Sequence, residues 1–93
     1  MTPTQIKTQL ADEGFKHIYE WADEPHADYP PHEHQDKVTF YIVDGSIDFF
    51  MVDKTLHFTA GDRFDVLPKT QHTAKVGPDG CKFIVGEMVE GDS

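Results

Sequence analysis

The 93-residue chain is long enough for one compact unit and too short for a two-domain enzyme with separate cofactor and substrate halves. A unit this small buries only about two-thirds of the surface that its unfolded chain exposes, so self-association is attractive and a homodimer is expected. With 8 Lys+Arg against 17 Asp+Glu the net charge is -9, which sets the chain against phosphate backbones and anionic lipid and excludes nucleic acid as a natural partner.

Residues 2 to 14 predict a short peripheral helix: Thr2-Pro3 supplies a capping hydroxyl and a first-turn proline, Ile6 and Leu10 lie four apart, and Gly14 can end it. From Phe15 the period changes to two, with Phe15, His17, Tyr19 and Trp21 on one side of a strand and Lys16 and Glu20 on the other. Val38, Phe40 and Ile42 alternate with Thr39, Tyr41 and Val43, and Asp44-Gly45 then predicts a tight hairpin whose return strand carries Ile47, Phe49 and Met51 against Asp48, Phe50 and Val52. A strand over 56–59 meets the turn Ala60-Gly61-Asp62, and Phe64, Val66 and Leu67 resume the pattern up to Pro68. Gly77-Pro78-Asp79-Gly80 predicts one more turn before a last strand over 81–89, with residues 90–93 as a tail. Short strands at regular spacing without intervening helices predict an all-β sandwich or barrel comprising a single domain over 1–93. Apolar residues on both faces of the strands suggest that a second copy covers the outer sheet.

The one cysteine, Cys81, cannot form an intramolecular disulfide, which suits a reducing compartment and makes the cytoplasm the expected location. Met1 to Ala11 lacks the basic start and apolar stretch of a secretory signal, and no run approaches the roughly 20 apolar residues of a membrane span, so no membrane partner is expected.

Chemistry concentrates in Pro30-Pro31-His32-Glu33-His34. Two imidazoles at i and i+2 of an extended segment project from one face about 6.6 Å apart along the chain, within reach of one ion. A third candidate is His72, which follows Gly61-Asp62 and Pro68-Lys69-Thr70-Gln71 at the start of a strand that a closed barrel can fold back beside residues 32 to 34. His17 and His57 read as strand histidines outside the site, His26 and Glu33 as solvated, and Cys81 as a small core thiol.

This arrangement resembles the cupin superfamily, whose first motif runs H-x-H, three or four residues, Glu, six residues, Gly, and whose second runs Gly, five residues, P-x-G-x-x-H with a later Asn. His32, His34 and Gly45 match the first motif; Gly61, Pro68 (offset by one position) and His72 follow the second. The chain departs from both at specific places. The glutamate position falls at Val38, or at Thr39 with the longer spacing, the late asparagine at Val76, and the glycine before the last histidine at Lys69. The resemblance implies a double-stranded β-helix (jelly-roll) barrel with a short N-terminal helix. It also implies one divalent transition metal, Fe, Ni, Zn or Cu, held by His32, His34 and His72 with positions left open for water or substrate. Asp36 continues the parity of His32 and His34 and is a candidate substitute for the glutamate. Three functions stay open: an oxygenase or isomerase acting on a small organic acid or sugar, a non-catalytic module holding a small molecule in the barrel, and a metal-free barrel.

Overall fold

The computed structural model describes residues 1–32 and 34–88, the side chains of residues 30–32 excepted. Glu33, Val89 and the tail over 90–93 therefore lie outside the described residues, as does the imidazole of His32.

Helix α1 spans Pro3–Asp12 and begins where the sequence predicts. The Thr2 hydroxyl accepts from the Gln5 amide at 3.2 Å, and the Gln5 side chain accepts from the Thr2 amide at 2.8 Å. This reciprocal cap satisfies two donors that a helix start leaves open. Far from being peripheral, α1 buries Ile6 and Leu10 against Phe15 and Ile84, with Ile18, Tyr41, Val43 and Met88 packed around them. Tyr41 and Val43, on the outer face of the third strand in chain order, thus find cover within the same chain. Phe15 belongs to this outer cluster, whereas Tyr19 and Trp21 line the interior, so the shared face expected for the three does not form. The reason is local: the Phe15 amide bonds to the Leu10 carbonyl at 3.1 Å as part of the helix exit, and the strand parity starts only after it.

Six strands follow: β1 His17–Asp23, β2 Asp28–His32, β3 Val38–Phe50, β4 Thr55–Thr59, β5 Arg63–Val66 and β6 His72–Glu87. All pairings are antiparallel; the sheet runs β1-β6-β3-β4, with β2 also on β6 and β5 also on β3. The two long strands are its spine, paired from Val38 opposite Glu87 to Phe50 opposite Thr73.

Two expected turns are absent as turns. Asp44-Gly45 does not reverse the chain, and neither does Gly77-Pro78-Asp79-Gly80; both lie inside the continuous strands β3 and β6. The register of β3 on β6 slips between Ile42 and Asp44 and again between Gly45 and Ile47, so the turn residues serve as bulges that bend a long strand. Gly45 and Gly80 show why only glycine serves here. Both have positive φ, +80° and +79°, and a Cβ on Gly45 would stand 2.0 Å from the Gly80 carbonyl oxygen. A bend at this crossing curls both strands and closes their inner faces around one core, built from Val38, Ile42, Ile47, Phe49, Ala74, Val76, Cys81, Phe83 and Val85.

Candidate metal and ligand site

His72 opens β6 and His34 lies in the loop that leaves β2, so the two candidate segments meet across the barrel mouth. The turn before His72 passes through Lys69 at φ +59°, the left-handed region for which glycine is suited. A lysine thus holds here a backbone conformation in which glycine is the usual residue. The Lys69 amide donates to the His34 carbonyl at 2.8 Å, a direct strut between the two segments.

The two imidazoles come together inside the protein. Their ring centroids are 5.5 Å apart, His34 and His72 are 3% and 2% exposed, and both Nε2 atoms are shut off from solvent. Phe49 packs 5.8 Å from His72 and Phe40 6.4 Å from His34, ring centre to ring centre. The Nδ1 of His72 lies 3.1 Å from the Thr70 carbonyl. A carbonyl only accepts, so Nδ1 carries a proton; in the neutral form of the ring the lone pair then lies on Nε2, the nitrogen that would be offered to a metal. The centroid separation suits two imidazoles sharing an ion about 2.0–2.1 Å from each nitrogen. His32 enters through its backbone, paired with His72 at the end of β2. Among the described residues no cluster of three or more His, Cys, Asp or Glu is set to hold one ion. Asp36 accepts from the Lys37 amide at 2.9 Å.

Val38, at the family's glutamate position, is fully buried and faces the cavity. Thr39, the alternative position, faces away and bonds to Asp65 and Arg63. Val76 is buried in the core. His26 is exposed, His57 is exposed and pairs with Asp48, and Cys81 is a buried thiol that burial, with Asp23 and Asp44 nearby, pushes up to about 11.

Beside the imidazoles lies a cavity of about 380 Å³ with largely apolar walls. One of its lining residues, Glu87, was not among the candidates from sequence. It is 1% exposed, and its carboxylate accepts from His17 Nδ1 at 3.0 Å and from the Tyr19 hydroxyl at 3.2 Å. Burial, followed by the charge and the hydrogen bond of Glu87, raises the Tyr19 phenol to about 12. The signal was present in the sequence as parity: Phe83 and Val85 point inward, and Glu87 continues their alternation. In the sheet Glu87 is the direct partner of Val38, so a carboxylate on β6 stands across from the β3 position at which the motif that the sequence resembles carries one.

Comparison of the sequence with protein-family models finds no match, and no curated protein matches it either. Solved structures do match in fold. An RmlC-like cupin from Shewanella frigidimarina superposes with a TM-score of 0.71 at 24% identity, over 85% of this chain and 71% of that one. A cupin-2 domain-containing protein from the same organism gives 0.62 at 18% identity, over 75% and 65%. The polyketide cyclase RemF from Streptomyces resistomycificus gives 0.67 at 24% identity, over 77% of this chain and 54% of that one. The chain spans just under two thirds of the cupin-2 protein and about half of the cyclase.

Proposed function

From the cupin fold, the double-stranded β-helix that these neighbours share with the chain, we propose a barrel that binds one divalent transition metal through His32, His34 and His72 and a small organic molecule in the adjoining cavity. The observation that carries this reading is the buried pair of His34 and His72, 5.5 Å apart, with the His72 proton committed to the Thr70 carbonyl. Each imidazole is placed from a different segment, and the Lys69 strut fixes one segment against the other. If bound there, a metal held by these residues would supply Lewis-acid chemistry toward an oxygen of the bound molecule. The protein's own part is to keep the site dry with Phe40 and Phe49, to bind the organic body against apolar walls, and to present the Glu87 carboxylate.

A role as a binding module needs nothing further. Turnover, of the oxygenase or isomerase kind, is the second reading, and it draws support from a cavity that adjoins the imidazole pair and from a structural neighbour that is an enzyme, the polyketide cyclase. Elemental analysis of the protein purified without added metal or chelator tests the metal assignment. About one equivalent per chain is expected, falling to a tenth or less in His32→Ala, His34→Ala and His72→Ala and unchanged in His57→Ala. Equal loss in all four variants, or retention in all four, refutes the ligand set.

A further inference from the structure

We infer that the cavity takes a flat aromatic compound of one or two rings with few polar groups, which narrows the substrate class away from sugars. The inference rests on the cavity being a ligand site, as proposed above, and not on the metal.

Among the described residues, the rings of Tyr19, Trp21, Tyr29, Phe40, Phe49 and Phe83 line the cavity. Phe40 joins the last two into one group, tilted against Phe49 at 5.5 Å between ring centres and edge-on to Phe83 at 5.8 Å. Ring pairs attract at these separations in offset and edge-to-face arrangements, and a planar ligand extends the same packing. The protein also leaves ring surface for it to cover. Phe40 is only partly buried, although Val38, Thr39 and Ile42 on the same strand are fully buried; Tyr19 and Tyr29 are partly buried as well, and Trp21 is half exposed, which places it at the opening. Apolar ring surface facing a concave site is area that a ligand removes from water.

The donors of these walls are committed to the protein itself. The Tyr19 hydroxyl donates to Glu87, which also accepts from His17, while Trp21 Nε1 donates to Asp23 at 3.0 Å and the Tyr29 hydroxyl donates to the same carboxylate. With their polar ends engaged in this way, Tyr19, Trp21 and Tyr29 serve the cavity as rings. Among the described residues no Ser, Thr, Asn, Gln, Lys or Arg lines it. A sugar carries a hydroxyl on almost every carbon, and each one taken out of water without a partner costs free energy that walls of this kind do not return. An aromatic body makes no such demand. The volume of about 380 Å³ lies at the small end of the roughly 300–1,000 Å³ of ligand cavities, which suits one or two rings.

The test titrates three uncharged probes calorimetrically into the full chain: naphthylmethanol, its fully hydrogenated counterpart decalylmethanol, and methyl glucoside. The first two carry the same hydroxymethyl group and differ in the ring system, and the hydrogenated probe is the more hydrophobic, so burial of apolar area alone would favour it. Naphthylmethanol is expected to bind about tenfold more tightly than decalylmethanol, with no measurable binding of the glucoside. Phe40→Leu and Trp21→Leu are each expected to narrow the ratio to about threefold or less; should one variant fail to fold, the other carries the comparison. Equal or tighter binding of decalylmethanol, or a ratio that survives the substitutions, overturns the inference. Binding of the glucoside in place of the aromatic probe overturns it too and leaves the cavity standing as a ligand site, whereas binding of none of the three overturns both. Metal content measured on the same sample judges the histidine set separately.

Discussion

Lys69 occupies a backbone conformation that costs a residue with a Cβ about 1–2 kcal/mol, and its side chain is exposed. Glycine pays no such cost but loses more freedom on folding, so Lys69→Gly should stabilise the protein by up to about 1 kcal/mol, read as a higher urea midpoint at unchanged slope. An unchanged or lower midpoint would show that the lysine contributes something the turn needs. Cys81 supplies the second expectation at this scale. Its thiol is pushed up to about 11 by burial, so the neutral form is favoured by folding. That contribution is complete below pH 9 and is lost as pH rises through 11; Tyr19, raised to about 12, adds a loss of the same sign at higher pH. Stability should therefore decline from pH 9 upward, with the first part of the decline blunted in Cys81→Ala. A thiol reagent at pH 8 should label Cys81 slowly in the native protein and quickly in denaturant.

Helix α1 is the element on which the outer face depends. Leu10 is fully buried, and Leu10→Ala should cost about 2–5 kcal/mol, measured by denaturant unfolding. A loss below 1 kcal/mol would mean that the helix undocks at little cost. Its far end is tied to the sheet by Glu13, which accepts from Arg63 Nη1 and Nη2 at 2.7 and 2.6 Å, while Arg63 also reaches Asp65 at 2.9 Å. The bond to Arg63 holds the Glu13 carboxyl down at about 2. Because the folded value is depressed, the contribution is present above pH 4.5 and lost as pH falls through about 2. The thermal midpoint should drop across this interval less in Glu13→Gln than in the unaltered chain. Equal drops would assign the acid sensitivity to other carboxylates.

Taken whole, the molecule buries the inner core of β3 and β6 and covers part of the outer face with α1, yet Phe50, Val52 and Leu67 remain exposed. With a small core and these apolar residues outside, the chain is expected to associate as a dimer, and sedimentation at micromolar concentrations decides it. A single species at the chain mass of 10.6 kDa would mean that the core suffices alone. None of the helices among the described residues is long and apolar enough to cross a membrane.

How much of this was legible depends on the range of the interaction involved. Alternation of apolar residues marked Val38, Phe40 and Ile42 as one face, the Thr2-Pro3 start marked the helix, and motif spacing marked His34 and His72; each is a property of neighbours along the chain. Tertiary structure decided what those local signals meant. Asp44-Gly45 has the residues of a hairpin, but pairing with Gly80 and Cys81 on a distant strand makes it a bulge, and no local preference contains that partner. Glu87 looked like one more polar residue near the end of the chain. It became a buried carboxylate because β6 lies between β1 and β3, bringing His17 and Tyr19 to one side of it and Val38 to the other. Sequence by itself determined an all-β chain after a short helix, with histidines gathered in two segments, since periodicity and spacing are short-range; how the strands close, and that His34, His72 and Glu87 face one cavity, were decided only when long-range strand pairing chose their neighbours.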